Sequence, residues 1–416
     1  MLTRRRLLRG AGLAAGGACA GASTDPHIAA LKSRRNEAQP ITVEERRGRM
    51  ERARELMARN KLDAVCMVGG SSLVYFTNIH WWNSERFFTG VLPLRGEPFY
   101  VCPAFERDRA REQIAAGPGG PSAQILTWQE DEDPYRLLAA GLRERGLATG
   151  RIGIEESVPY VFSEGLSLAA PAITLTSATP VTAGCRMVKS PQEIALMRLA
   201  SRVTLQAYEA AWHALREGMT QYEFADLVAA AHLRLGFQGY AGVQVGEHSA
   251  NPHGSAQPQT IHEGAILLID GGCKVEGYES DISRTFVLGK PAEKMQRVFE
   301  IVHRAQTAAL AAARPGAACE AVDRAARRII EDAGFGPGYH YFTHRVGHGL
   351  GLDGHEWPYL VRGNTLPLAA DMTFSNEPGI YIPGEFGVRL EDDMRITENG
   401  AELFTAQSPS LDRPFL

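Results

Sequence analysis

Apolar residues recur along this 416-residue chain in short runs separated by helix-like stretches, and the pattern changes character near residue 187. Residues 43–60 carry Met and Leu among Arg and Glu at helical spacing, and residues 62–68 form an apolar run of the length of a buried strand. Further short apolar runs at 99–102, 125–128 and 152–154 are separated by helix-like stretches at 105–115 and 134–144, which predicts an α/β domain. Ser190, Pro191 and Glu193 then supply an N-cap, a first-turn proline and the N3 carboxylate of a capping box, so a long helix is expected from there to about residue 217.

The second half reads differently. A helix is expected from Tyr222 onward, strands at 265–270 and 285–288, a helix over 292–313 stopped by Arg314, Pro315 and Gly316, and another over 321–333 stopped by Gly334. Residues 372–404 read as antiparallel strands interrupted by Pro378, Gly379, Pro383 and Gly384. This half is α+β, without a tandem repeat of the solenoid kind. Length agrees with two cores, since a chain of this size exceeds what one ordinary domain buries.

Charge narrows the partners. A net charge of -4 with both signs scattered provides no broad basic face, which argues against nucleic acid and anionic membrane and favours a small neutral or zwitterionic substrate. No segment reaches the roughly 18 apolar residues of a membrane span. Cys19, Cys66, Cys102, Cys185, Cys273 and Cys319 are widely spaced, and five of them read as buried thiols rather than a disulfide framework or zinc site, Cys19 falling in the leader. Thr3, Arg4, Arg5, Arg6, Leu7 and Leu8 resemble a twin-arginine export signal followed by a weakly apolar stretch through Ala22, so residues 1–23 are expected to be a leader and the protein to be exported to the periplasm.

The candidate chemistry lies in the second half. Asp270 ends the run Ala265, Ile266, Leu267, Leu268, Ile269, where a buried, unpaired carboxylate is costly and calls for a cation. Asp281 follows after the turn-prone Gly271, Gly272 and Gly277, so a hairpin would return it beside Asp270, and two carboxylates that close repel unless positive charge lies between them. His344, His348 and His355 sit in a glycine-rich run that permits close backbone approach. Glu377 and Glu391 add carboxylates in strand-like surroundings, and oxygen-rich ligation with one imidazole favours Mn, Co or Fe, with Zn as a further choice.

The order Asp, Asp, His, Glu, Glu, with the sequences around each, resembles the pita-bread metallopeptidases of the creatinase, aminopeptidase P and prolidase type, most closely the Xaa-Pro dipeptidases and Xaa-Pro aminopeptidases. It covers about residues 188–416, and the upstream domain is similar in placement to the family's N-terminal domain. The resemblance implies an α+β protein with a C-terminal pita-bread catalytic domain, residues 188–416, preceded by a smaller α/β creatinase-type N-terminal domain, residues 40–187. It further implies two divalent ions, manganese first, with Asp281 and Glu391 bridging both, Asp270 on one, and His348 and Glu377 on the other. Glu377 would also accept a proton from the attacking water, His355 would stabilise the tetrahedral intermediate, and His253 would aid substrate binding and proton transfer. By the same resemblance His344 lines the pocket and Arg389 supports the ligands. The implied substrates are short peptides with proline in second place, with the run from His344 to Glu356 closer to the dipeptidase pattern, and the implied assembly is a homodimer. Gly354 departs from the family's usual Val or Ile beside the histidine, so the pocket next to His355 is expected to differ in shape.

Three other classes compete. A creatinase-like hydrolase or a lyase acting on a small zwitterion is disfavoured by the full ligand set, which creatinase lacks. A catalytically inactive binding module is disfavoured by the intact ligands and the missing basic patch. Methionine aminopeptidase chemistry is disfavoured by the extra N-terminal domain. Trp81 and Trp82 read as packing or a dimer contact.

Overall fold

The computed structural model describes residues 25–415, and the leader expected over residues 1–23 lies outside the described residues. Residues 40–187 form one compact unit; residues 25–39 together with 188–415 form another.

In the first unit the helix Val43–Asn60 starts where Thr42 accepts a hydrogen bond from the Glu45 N–H (3.1 Å) and stops at Lys61, whose φ of 56° is left-handed. A mixed sheet follows, built from β1 (Ala64–Met67), β2 (Thr89–Pro93), β3 (Phe99–Pro103), β4 (Gln124–Trp128), β5 (Arg151–Ile154) and β6 (Thr174–Ser177) in the spatial order β4-β3-β2-β1-β5-β6. Val91, Phe99, Val101, Ile152, Leu138 and Leu142 are among the buried side chains that hold sheet and helices together. β2 pairs antiparallel with both β1 and β3 and interrupts the alternating pattern. It escapes a sequence reading because Gly90 and Pro93 weaken its strand signal. Trp81 stacks on Phe88 (4.2 Å between ring centroids), with the Arg109 guanidinium 4.7 Å from its ring.

The second unit is antiparallel in all its strand pairs. The capping box at Ser190 opens the helix Pro191–Ala214, which ends three residues before the expected 217 because Leu215 is already extended (ψ 137°). β8 (Ile266–Val275) lies between β7 (Gly239–Val245) and β10 (Ile282–Val287), with β9 (Tyr278–Glu279) folded back on its end. β8 therefore runs past Asp270 instead of ending there. Gly272 makes this possible, since a Cβ on it would stand 1.8 Å from the Ser280 carbonyl oxygen. Ile266, Leu267, Leu268 and Ile269 are all buried, as a strand covered on both faces requires. A second sheet has the order β12-β11-β13-β16-β17, with β11 at Gly347–Gly349, β12 at Glu356–Leu360, β13 at Thr373–Asn376, β16 at Asp392–Ile396 and β17 at Ala401–Leu403. The hairpin β14 (Gly379–Ile382) and β15 (Phe386–Arg389) completes the unit's strands.

Two buried ion pairs fasten these parts. Arg284 binds Asp392 at 2.7 Å and donates to the Glu391 carbonyl at 2.8 Å. Arg327, on the helix Cys319–Asp332, forks onto both oxygens of Asp323 (2.9 and 3.0 Å) and donates to the carbonyls of Gly338, Phe342 and His344. The exposed Arg–Glu pairs of the first helix contribute little by comparison, because solvent screens them. Asp323→Ala leaves a guanidinium uncompensated in the interior and is expected to cost about 3–5 kcal/mol, read as a lower denaturant midpoint. A loss below about 1 kcal/mol would contradict the assigned role.

Cys66, Cys102, Cys185, Cys273 and Cys319 are free and buried, and burial pushes the Cys66 thiol up to about 12.

Candidate metal centre

Asp270 and His348 lie inside strands, Asp281, Glu377 and Glu391 lie just beyond strand ends, and all five meet at one place. Register sets Ser283 of β10 opposite Asp270 of β8, and Asp281 precedes β10 directly. His348 is the middle residue of β11, which pairs with β13 through Gly349 and Phe374. Gly347 permits the approach, since a Cβ there would lie 2.1 Å from the Ser375 carbonyl oxygen. Asn376 pairs with Asp392, which puts Glu377 and Glu391 side by side where β13 and β16 end. Donor atoms of Asp270, Asp281 and Glu391 fall within 4.8 Å of one another, and so do those of His348, Glu377 and Glu391. Asp281, His348 and His355 form a third such group, so geometry also admits His355 as a donor.

Hydrogen bonds fix how these groups face. The His348 ring donates from Nδ1 to the Gly349 carbonyl (3.1 Å), because a carbonyl only accepts, and Nε2 faces Glu377 Oε1 (3.2 Å) and Asp281 Oδ2 (3.7 Å); protonated, Nε2 donates to Glu377, and with that proton gone the ring keeps Nδ1–H and offers the Nε2 lone pair. That is the tautomer a metal ligand needs. Ser375 accepts from the His348 N–H and donates to Glu377. The Ser283 hydroxyl lies within bonding distance of Asp270 Oδ1 (2.8 Å) and Glu391 Oε2 (2.6 Å) and accepts from Arg389 Nε (2.9 Å). Arg389 also binds Asp270 Oδ2 at 2.7 Å and donates to the Tyr381 hydroxyl at 2.9 Å. Tyr381 in turn donates to His344 Nε2 (2.7 Å), whose Nδ1–H then points to the Arg345 carbonyl (2.8 Å).

Ser283, Ser375 and Tyr381 are absent from the sequence-based expectation. A serine two residues from a ligand and a tyrosine in a strand have no distinctive spacing, so nothing local marks them.

Electrostatics state what the cluster lacks. Burial, and next the neighbouring carboxylates, push Asp281 and Glu391 well above the usual carboxylate range. Burial acts on Glu377 in the same direction, but the hydrogen bond and charge of His348, with His344 and Arg389, outweigh it and hold Glu377 below that range. Burial lowers His355 to about 4, helped by His348, so its ring is neutral near pH 7; it stacks on His348 at 3.7 Å. Four carboxylates converge with Arg389 as the permanent cation among them, and this oxygen-rich set with one correctly oriented imidazole fits divalent ions. A cavity of about 370 Å³ opens beside it, lined by Asp270, Asp281, His253, His355, Arg389 and Glu279 among others. His253 is exposed at its wall. A larger cavity of about 700 Å³, at Phe299, His303 and Leu411, holds none of these groups.

An antiparallel unit that brings four carboxylates and one histidine together is the framework of a metal-binding centre. The comparisons make the class specific: residues 195–398 match the model of metallopeptidase family M24, and residues 49–188 match the creatinase/prolidase N-terminal domain. The chain belongs to metallopeptidase family M24. It is 36% identical over 343 residues to the probable dipeptidase PepE of Mycobacterium tuberculosis, covering 82% of this chain and 89% of that protein. It is 33% identical over 356 residues to the Xaa-Pro dipeptidase of Pyrococcus horikoshii, covering 84% and 95%. The crystal structure of dipeptidase PepE from Mycobacterium ulcerans superposes with a TM-score of 0.84 at 33% identity, covering 90% of this chain and 99% of that one.

The comparisons also correct one expectation. Export to the periplasm is not supported: the similarity is to these dipeptidases, and the residues that suggested it, Thr3 to Leu8, lie outside the described residues.

Proposed function

We propose that this protein is a two-metal Xaa-Pro dipeptidase that releases the residue preceding proline. The observation that carries this reading is the convergence of Asp270, Asp281, His348, Glu377 and Glu391 beside a cavity of dipeptide dimensions, in a chain whose relatives include proteins named dipeptidase and Xaa-Pro dipeptidase. Four carboxylates balance two divalent cations, and hard oxygen donors with one imidazole make manganese the proposed ion, ahead of cobalt, iron and zinc. Asp270, Asp281, His348, Glu377 and Glu391 would hold these ions. Such ions, when bound, acidify a water and polarise the scissile carbonyl.

The chain's own residues do the rest. Glu377, held ionised, is the proton acceptor for the attacking water. His355, neutral near pH 7, offers a ring N–H to the developing oxyanion without adding a cation beside the metals. His253, on the cavity wall, is placed to contact the substrate and pass a proton. Arg389 and Tyr381 keep Asp270 and His344 in place. A homodimer is proposed on the resemblance alone, and sedimentation velocity checks it.

The test is a panel in which protein loaded separately with Mn, Co, Fe and Zn is offered Ala-Pro, Ala-Pro-Ala and Ala-Ala. Ala-Pro should be cleaved fastest and Ala-Ala slowest. Equal rates on Ala-Pro and Ala-Pro-Ala would reassign the protein as an aminopeptidase, and folded, loaded protein inert on both proline peptides would sink the function.

A further inference from the structure

Gly354 stands against the side chain of Glu279 on the cavity wall. Its φ is not in the left-handed region, so the backbone does not demand glycine there. A Cβ at this position would approach one side chain, that of Glu279, with Oε2 at 3.3 Å. The missing side chain therefore opens space directly beside a carboxylate, on the wall of the cavity that also holds Asp270, Asp281 and His355.

Glu279 is fixed from behind and open in front. Its strand pairs with β8, Lys274 opposite Glu279, and its N–H donates to the Gly351 carbonyl at 2.8 Å, which ties it to the loop carrying Gly354 and His355. One carboxylate oxygen meets Lys274 Nζ at 2.6 Å, but that lysine side chain is 60% exposed while Glu279 is 18% exposed. An ion pair to so exposed a lysine contributes little and yields readily to a better-placed cation. The other acids of the wall are committed: Asp270 to Arg389 and Ser283, Asp281 to the cluster with His348. Tyr240, on the same wall, adds an aromatic face that attracts cations.

We propose that Glu279, in the space Gly354 leaves, is a specificity-determining residue that selects dipeptides bearing a guanidinium or ammonium side chain. The inference rests on the peptidase reading above. The cation is the side chain of the residue that precedes proline.

Metal-loaded protein is given Arg-Pro, Lys-Pro and Ala-Pro, and kcat/KM ratios of cationic to neutral substrate are measured. The ratio should be about five to ten, the size of a partly shielded charge pair. In Glu279→Gln that ratio should fall to about one, in Gly354→Val it should fall as the space is filled, and in Lys274→Ala, which removes an exposed competitor, it should rise. Wild-type protein that cleaves Ala-Pro but shows no preference for Arg-Pro or Lys-Pro overturns this inference and leaves the peptidase reading standing. A preference that survives in folded Glu279→Gln, or that Lys274→Ala does not change, overturns it as well. Failure to cleave Ala-Pro at all strikes the peptidase reading instead.

Discussion

Glu377→Gln is expected to give a folded protein that still binds Ala-Pro and whose kcat is lower by on the order of 10²–10⁴. The substitution keeps the size of the side chain and one oxygen donor while removing the carboxylate that accepts a proton. Glu377 is an acid of the cluster that its surroundings hold below the usual carboxylate range, through His348 at 3.2 Å and through His344 and Arg389, so its carboxylate carries no proton near neutral pH. Loss of a group that acts only in the transition state lowers kcat and leaves KM nearly unchanged, whereas lost ground-state binding raises KM. A weakened ligand also lowers the rate, so metal content is measured on the same sample. A fully metallated Glu377→Gln protein with near-normal kcat would remove Glu377 from the role of base.

Removal of the divalent ions is expected to abolish peptidase activity and to lower the thermal midpoint. Asp281 and Glu391 are pushed up by burial and by their neighbours, so the bare cluster carries a repulsion that one guanidinium does not offset. Ions at 100 times their Kd stabilise by about 2.7 kcal/mol each, or on the order of 5 °C per ion for a unit of this size. Chelation followed by calorimetry reads the shift, and readdition of Mn should restore both midpoint and activity. Undiminished hydrolysis of Ala-Pro by protein that elemental analysis finds free of metal would overturn the mechanism.

The amino-acid sequence by itself determined the features that depend on neighbours along the chain. The capping box at Ser190 and Glu193, the helical spacing over Val43–Asn60 and the apolar run into Asp270 each act within a turn or a strand, so their outcome is readable locally. The ligand types and their order are likewise a property of the chain, which is why the family resemblance stands on them. The end of β8 is not legible in the sequence, because Gly271 and Gly272 signal a turn in isolation, while the close carbonyls of Tyr240 and Ser280 need them inside a strand. Tertiary structure alone decided the rest. Ser283 and Tyr381 become part of the centre only because β10, β14 and β15 converge on Asp270 and His344, and the Arg327 fork because one helix meets three distant carbonyls. The vacant side of Glu279 was likewise hidden, since it arises where Gly354, seventy-five residues away, comes to face it. These contacts pair residues far apart in sequence whose types are common everywhere, so only burial and strand register distinguish them from the many serines, tyrosines and arginines that do nothing of the kind.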